Sequence, residues 1–136
     1  MRSSYHNELS YKELLRVVSS LEEPSRVVEF GILDGASLKE FAKTGADVTA
    51  YDIFEDFNGN HSDRAKLLDN FKGQSNVKIL RGDFYTKHQD MPDHSIDILH
   101  VDIANNGDVY RFCFQNYLRK IRKGGLLVLE GGSKER

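Results

Sequence analysis

The sequence predicts an α/β fold of the three-layer, Rossmann-like, doubly wound type, with a mostly parallel sheet between two layers of helices. Short β-rich runs alternate with amphipathic stretches along the chain, and this alternation implies βαβ units with right-handed crossovers. The runs VTAY and LLVL are nearly continuous in apolar residues, as expected of strands buried on both faces of a sheet. The 136 residues contain no repeat and no linker-like tract, so residues 1–136 are predicted to form a single domain.

The first half of the chain predicts a helix, a strand, a second helix and a second strand. Ser10 begins an S-x-x-E capping box followed by leucine and valine residues at helical spacing, and Pro24 ends this helix. Ser37 begins a second capping box, and Gly45 terminates the short helix that follows it. The predicted strands are residues 26–30 and 48–51.

The second half of the chain repeats the alternation. Residues 61–71 carry their apolar side chains on one side and predict a helix. Residues 108–121 carry a helical apolar stripe that the Gly124-Gly125 pair stops. The predicted strands are residues 77–80, 96–101 and 126–129.

The composition excludes several classes of protein. Hydrophobic residues make up 39% of the chain and charged residues 29%, which indicates neither disorder nor a membrane protein. The net charge of −2 and the pI of about 6.2 argue against a nucleic-acid partner. The single cysteine, Cys113, cannot form an internal disulfide, and MRSSYHNELS contains no apolar run for a signal peptide. The sequence therefore predicts a cytoplasmic domain with no membrane partner.

Polar residues and glycines lie at the carboxyl ends of the predicted strands, where doubly wound sheets bind their ligands. They are Glu29, Gly31, Asp52, Asp83, Asp102 and Glu130. The loop from Gly31 to Gly35 permits a tight turn, and the helix that opens near Ser37 directs its free amides toward it. Asp52 follows Gly31 at close to the spacing of about 20 residues that is typical of an acid that binds ribose hydroxyls. A plain βα turn with a solvated Asp52 remains the alternative.

The loop between the first strand and its helix does not favour a dinucleotide. Leu33 stands where the G-x-G-x-x-G pattern has its second glycine. Glu29 and Asp34 place carboxylates where a diphosphate would be repelled. An acidic rim of this kind suits a ligand with an amino group or another cationic centre.

The segment VVEFGILDGASLKEFA resembles the first motif of class I S-adenosylmethionine-dependent methyltransferases, usually written E/D-x-G-x-G-x-G. It is most similar to the variant E-[FI]-G-x-x-x-G-x-S-L, found in the group of macrocin-type O-methyltransferases and the proteins named cephalosporin hydroxylases. The resemblance covers residues 27–130. It implies S-adenosylmethionine as the cofactor and a sheet that lacks the last two strands of the full fold. The chain is then part of a longer protein or has its open edge covered by a second copy or a partner, with a minimal natural version of the fold as the least favoured alternative.

The resemblance also implies roles for the residues of the cofactor site. Glu29, Gly31 and Gly35 would line the methionine part, with Ser37 beside them. Asp52 would accept hydrogen bonds from the ribose hydroxyls. The remaining cofactor-binding residues would be Asp83 near the adenine amino group, Phe84 beside the adenine ring, and Asp102.

Methyl transfer to a hydroxyl needs alignment of the reactants and removal of one proton, by a general base or with a metal. Asp102 matches the acid of the family's I-D-G-x-H motif, but Asn105 replaces its histidine, and an amide is not a base at neutral pH. His100 lies two residues before Asp102 on the same side of the strand and could substitute as the base, although a core histidine inside the strand is the favoured interpretation. Asp102, Glu130 and Asn105 are the predicted ligands of Mg²⁺ or another divalent cation.

Three functions are compatible with these patterns. The first is an S-adenosylmethionine-dependent methyltransferase that O-methylates a small molecule or sugar. The second is a non-catalytic module that binds S-adenosylmethionine or a nucleotide within an assembly. The third, a nicotinamide-dependent oxidoreductase, is disfavoured by the first loop.

Overall fold

The structure, a computed structural model, describes residues 8–19, 25–32, 35–54, 64–103 and 107–130. The strands are β1 Arg26–Phe30, β2 Asp47–Asp52, β3 Val77–Arg81, β4 Ile96–Val101 and β5 Ile121–Leu129. The helices are α1 Glu8–Ser19, α2 Ala36–Ala42, α3 Arg64–Phe71, α4 Phe84–Lys87 and α5 Gly107–Asn116, with short 3-10 turns at His88–Asp90 and Leu118–Lys120. Within the described ranges, no helix is long and apolar enough to cross a membrane.

The five described strands form one parallel sheet in the order β3-β2-β1-β4-β5. From β1 the chain proceeds outward to β2 and then to β3, and it returns to the other side of β1 to form β4 and then β5. The direction of winding therefore reverses between β1 and β4. The predicted doubly wound α/β fold is therefore confirmed. The reversal point is where such sheets place their ligands.

Helices cover both faces of the sheet. One apolar core contains Leu14 of α1, Phe41 of α2 and Leu67 of α3, and the other contains Phe84 of α4 and Cys113 of α5. Side chains alternate between the faces along each strand. In β1, Val27 belongs to the first core and Val28 and Phe30 to the second, so Glu29 points to the face that carries α1, α2 and α3.

The second core is largely aromatic. The rings of Phe84 and Tyr117 stack with their centroids 5.0 Å apart, and Phe30 meets both edge-on. The Tyr117 hydroxyl donates a hydrogen bond to the carbonyl oxygen of Phe84. These contacts join α4 to the end of α5 and place both beneath β1.

The predicted helix starts are wrong in detail. Helix α1 begins at Glu8, so Ser10 lies inside the helix and not at its start. Helix α2 begins at Ala36 with Gly35 as its N-cap and without a side-chain cap, and the Ser37 hydroxyl bonds elsewhere. Helix α4, with four residues, is too short to produce a periodic pattern. The residue that marks the start of α4 is its N-cap Asp83, whose Oδ1 accepts a hydrogen bond from the Tyr85 amide at 2.9 Å.

The boundary between α5 and β5 also differs from the prediction. Helix α5 ends at Asn116, and Ile121 already belongs to β5. The Gly124-Gly125 pair lies within β5, where the register with β4 shifts and Gly124 adopts a φ of 82°. LLVL is not buried on both faces, since Leu126 is 39% exposed and β5 pairs among the described strands with β4 alone. VTAY in β2 is buried except for Tyr51, which is half-buried.

Cys113 is expected to be chemically inert in the folded protein. Its side chain is fully buried in the second core, and burial raises the pKa of the thiol to about 12. The thiol is then protonated at about pH 8, near the ordinary thiol pKa, whereas the thiolate is the nucleophile. Iodoacetamide should label Cys113 slowly in the native protein and rapidly in denaturant. Equal labelling rates in both conditions would contradict this burial.

Candidate functional site

Backbone hydrogen bonds extend the sheet past the ends of β1, β4 and β5. The Gly31 amide donates to the Tyr51 carbonyl at 2.9 Å, and the Asp102 amide donates to the Phe30 carbonyl at 2.9 Å. The Glu130 amide donates to a carbonyl of β4, that of Val101, at 2.9 Å. The structure thus brings Gly31, Asp102 and Glu130 together at the carboxyl-terminal ends of the strands, and Gly31 and Asp102 flank the reversal of strand order.

Gly31 lies where the loop after β1 passes very close to the backbone at the end of β4. Its φ of 87° is in the left-handed region, which side chains other than that of glycine rarely adopt. A Cβ at this position would lie 2.2 Å from the carbonyl oxygen of Asp102 and 3.0 Å from Cγ2 of Ile103. Only glycine permits the first loop to pass this close to the end of β4.

Asp52 ties the end of β2 to the first loop. Its Oδ2 accepts a hydrogen bond from the Ile32 amide at 2.9 Å, and its Oδ1 accepts one from the Phe54 amide at 2.8 Å. Each carboxylate oxygen of Asp52 thus accepts a backbone amide, one from the first loop and one from the residues just after β2.

Gly35 closes the first loop onto α2. Its amide donates to the Ile32 carbonyl at 3.0 Å, and its φ is 83°. A Cβ here would lie 3.2 Å from side-chain atoms of both Leu67 and Phe71. The lack of a side chain at Gly35 thus allows the start of α2 to pack closely against α3. Asp34, the other acid of the predicted rim, lies outside the described residues.

Glu29, Ser37 and His100 form a buried polar cluster, which we call the Glu29 cluster. Ser37 Oγ donates a hydrogen bond to Glu29 Oε2 at 2.6 Å, and His100 Nδ1 lies 3.2 Å from the same oxygen. Glu29 and His100 are both fully buried, and Ser37 is 4% exposed. Glu29 Oε1 is also buried and has no hydrogen-bond partner among the described residues.

The pairing of Glu29 with His100 is not evident from the sequence. The two residues are direct partners across β1 and β4, but 71 positions separate them in the sequence. The strand order that makes β1 and β4 neighbours is the information that was missing. The Ser37 contact was obscured by the capping-box pattern, which assigned that hydroxyl to the helix start.

His100 is held in a charged environment. Burial acts to lower its pKa, but the Glu29 contact and the nearby Asp102 and Glu130 carboxylates outweigh burial and raise the pKa above the ordinary histidine value. The ring also packs edge-on against Phe41, with 5.8 Å between centroids. A side chain with no exposed surface, directed at a carboxylate, does not fit the predicted role as the base for a bound acceptor.

The residues predicted for the adenine end lie apart from this cluster. Asp83 is exposed and caps α4. Phe84 is 3% exposed and stacks within the aromatic core, so its ring presents almost no surface to a ligand. The structure therefore supports an N-cap role for Asp83 and a packing role for Phe84.

The predicted divalent cation has no support in the described part of the chain. There, no group of three or more His, Cys, Asp or Glu side chains is arranged to hold a metal ion. Asp102 is buried at the end of β4, and Glu130 follows β5 at half exposure. Asn105, the third predicted ligand, lies outside the described residues.

Comparison with known proteins identifies the family. The model of a family described as "Methyltransferase domain" matches residues 28–130, which is most of the chain. A comparison with curated proteins gave no match.

Solved structures share the fold. They include a precorrin-6y C5,15-methyltransferase from Geobacter metallireducens GS-15, with a TM-score of 0.72 and 14% identity over 99% of this chain and 68% of that one. A SAM-dependent methyltransferase from Agrobacterium tumefaciens has a TM-score of 0.64 and 17% identity over 100% of this chain and 47% of that one. The YcgJ protein from Bacillus subtilis has a TM-score of 0.63 and 18% identity over 88% and 50%.

At these identities the structural likeness shows the fold alone. The chain spans about half the length of several of these solved proteins. The family assignment comes from the sequence match, which runs from β1 to the end of β5 and includes Gly31, Asp52 and Asp102. The chain belongs to the methyltransferase domain family.

Proposed function

We propose that this chain is an S-adenosylmethionine-dependent methyltransferase domain that methylates a hydroxyl group of a small molecule or sugar. Within the family, we place it in the group of macrocin-type O-methyltransferases and cephalosporin hydroxylase-like proteins, on the sequence of its first loop. One observation carries the proposal. The left-handed turn at Gly31 packs against Asp102 at the reversal of strand order and is hydrogen-bonded to Asp52.

The residues present fit this cofactor. The buried Glu29 Oε1, without a partner among the described residues, is an acceptor for the ammonium group of the methionine part. Asp52 ends β2 and is tied to the first loop through the Ile32 amide, and it is the carboxylate that we assign to the two ribose hydroxyls. The carboxylate of Glu29 at the end of β1 would repel a diphosphate, which disfavours a nicotinamide dinucleotide.

The chain's own residues mainly position the reactants and take little part in the bond changes themselves. Bound S-adenosylmethionine supplies an electrophilic methyl group, which an acceptor oxygen attacks in line. The turn at Gly31 and the carboxylate of Asp52 fix where the cofactor would lie relative to the end of β4. Asp102, at that end and 9% exposed, is the carboxylate that we assign to accept the proton of the attacking hydroxyl. His100 is not assigned this role because it is fully buried.

Release of S-adenosylhomocysteine tests the proposed activity. The protein is incubated with S-adenosylmethionine and separate pools of phenols, sugars and amines, with and without Mg²⁺, because a divalent cation was predicted at Asp102 and Glu130. We expect product with a hydroxyl-bearing pool and loss of that product in Asp102→Asn. Turnover restricted to amines would contradict O-methylation but not the methyltransferase assignment.

A non-catalytic binding module is the second candidate. It is favoured by the burial of His100 together with Asn105 at the position where related proteins carry histidine. This candidate predicts binding of S-adenosylmethionine without turnover in any pool. The same experiment therefore separates the two functions.

A further inference from the structure

Phe54, two residues after Asp52, has a strained backbone. Its φ is 56°, in the left-handed region where residues with a side chain are uncommon and a bulky residue is an outlier. Backbone of this kind persists only where surrounding contacts hold it, and it is concentrated at functional sites. The strain at Phe54 therefore points to a use at the candidate site beside it.

The left-handed conformation directs the Phe54 amide at Asp52. That amide donates a hydrogen bond to Asp52 Oδ1 at 2.8 Å. The other carboxylate oxygen, Oδ2, accepts the Ile32 amide at 2.9 Å, and Ile32 directly follows Gly31, whose φ is 87°. The Asp52 carboxylate is thus held from two sides, each time by an amide at or next to a left-handed residue.

The ring of Phe54 supplies the contacts that hold this conformation. Phe54 is 1% exposed and belongs to the first core, and burial of a phenylalanine side chain is strongly favourable. The guanidinium carbon of Arg64, the first residue of α3, lies 5.5 Å from the centroid of the ring, at a distance typical of a cation–π contact. The burial of the ring therefore offsets the backbone strain.

We propose that Phe54 is a positioning residue for the carboxylate that binds the ribose. Its buried ring keeps the residue left-handed, and the left-handed backbone keeps the amide on Asp52 Oδ1. The role assigned to Phe54 needs no contact with the ligand, because it acts through Asp52. The inference rests on the proposed function, in which Asp52 binds the two ribose hydroxyls of the cofactor.

A role in packing alone makes a different prediction. If the ring only fills the core, Phe54→Gly should be at least as damaging as Phe54→Ala, because glycine leaves the larger cavity and the more flexible chain. If the backbone conformation of Phe54 matters, the order is reversed. Glycine adopts a positive φ without cost, whereas alanine without the ring returns to a negative φ and withdraws the amide from Asp52.

Calorimetric titration of the full chain and its variants distinguishes the two roles. Methylthioadenosine carries the ribose hydroxyls, and its dideoxy analogue lacks both. We expect Phe54→Ala to bind methylthioadenosine about tenfold more weakly than the wild-type protein does, and Phe54→Gly to stay within about threefold of the wild type. The dideoxy analogue should bind equally to all three proteins. Binding of methylthioadenosine by Phe54→Gly that is no tighter than by Phe54→Ala, or an equal loss for both ligands, would overturn the positioning role.

Two variants of Leu14 are the matched control. Leu14 belongs to the same core, is 2% exposed and lies inside α1. Because glycine is unfavourable in a helix, Leu14→Gly should be less stable than Leu14→Ala, and neither should change the affinity for methylthioadenosine. An advantage of glycine over alanine that is confined to Phe54 identifies the left-handed backbone as its cause.

Phe54→Val replaces Phe54→Ala if that variant does not fold. Valine retains more apolar volume, but its β-branched side chain is especially unfavourable at a positive φ, so the same selective loss is expected. Wild-type protein that binds neither S-adenosylmethionine nor methylthioadenosine would refute the proposed function itself. Wild-type binding with losses that do not depend on the ribose hydroxyls would refute only the inference.

Discussion

Gly31→Ala is expected to lower the free energy of unfolding severely and to abolish cofactor binding. The left-handed φ of 87° costs a non-glycine residue about 1–3 kcal/mol. The added Cβ would also lie 2.2 Å from the Asp102 carbonyl oxygen, and overpacking of this kind typically costs a further 1–3 kcal/mol or so. Because backbone is the clashing group, relief requires moving the first loop away from β4. Denaturant unfolding monitored by circular dichroism measures the effect.

Gly73→Ala is the matched control. Gly73 follows α3, its φ is not in the left-handed region, and a Cβ there would meet nothing within 4 Å. Its unfolding midpoint should stay close to that of the wild-type protein. If Gly31→Ala were as stable as Gly73→Ala, the close approach of the first loop to Asp102 would be wrong.

Asp52→Ala is expected to weaken binding of S-adenosylmethionine by roughly 1–3 kcal/mol, because it removes the acceptor proposed for the ribose hydroxyls. It should also lower the free energy of unfolding, since the Ile32 and Phe54 amides lose their partner. Methylthioadenosine retains the ribose, so its affinity should fall as well. Titration calorimetry of folded protein measures both affinities.

Asp47→Ala provides the control on the same strand. Asp47 is the first residue of β2, exposed at the opposite end from the site, so its replacement should leave both affinities unchanged. Asp52→Asn keeps one oxygen acceptor and should fall between the wild-type protein and Asp52→Ala. Unchanged ligand affinity in a folded Asp52→Ala protein would exclude Asp52 from the ribose site.

The strands could be predicted because their signal is local. Residues 26–30 and 96–101 match β1 and β4 in both bounds, since short apolar runs between polar loops are visible in the sequence itself. The helix starts were less accurate, because a serine three residues before a glutamate fits a capping box whether or not its hydroxyl caps the helix. Ser37 illustrates this, as tertiary contact with Glu29 replaces the local bond.

The location of the site was predictable because several of its residues lie at the ends of strands. Gly31, Asp52 and Asp102 lie together as predicted, because parallel strands bring their carboxyl ends to the same side of the sheet. The contact of His100 with Glu29 was not predictable, because it depends on which strand lies beside β4. The raised pKa of His100 was not predictable either, because it depends on acids at the ends of three strands. The burial of Phe84 was not predictable for a similar reason. Its ring packs on Tyr117, 33 positions away in the chain, and this contact places it in the core.

Calorimetric titration of the wild-type chain with S-adenosylmethionine and, separately, NAD tests the proposed identity of the ligand directly. We expect saturable binding of S-adenosylmethionine at one site and no measurable binding of NAD. Binding of NAD without S-adenosylmethionine, or binding of neither ligand by folded protein, would contradict it.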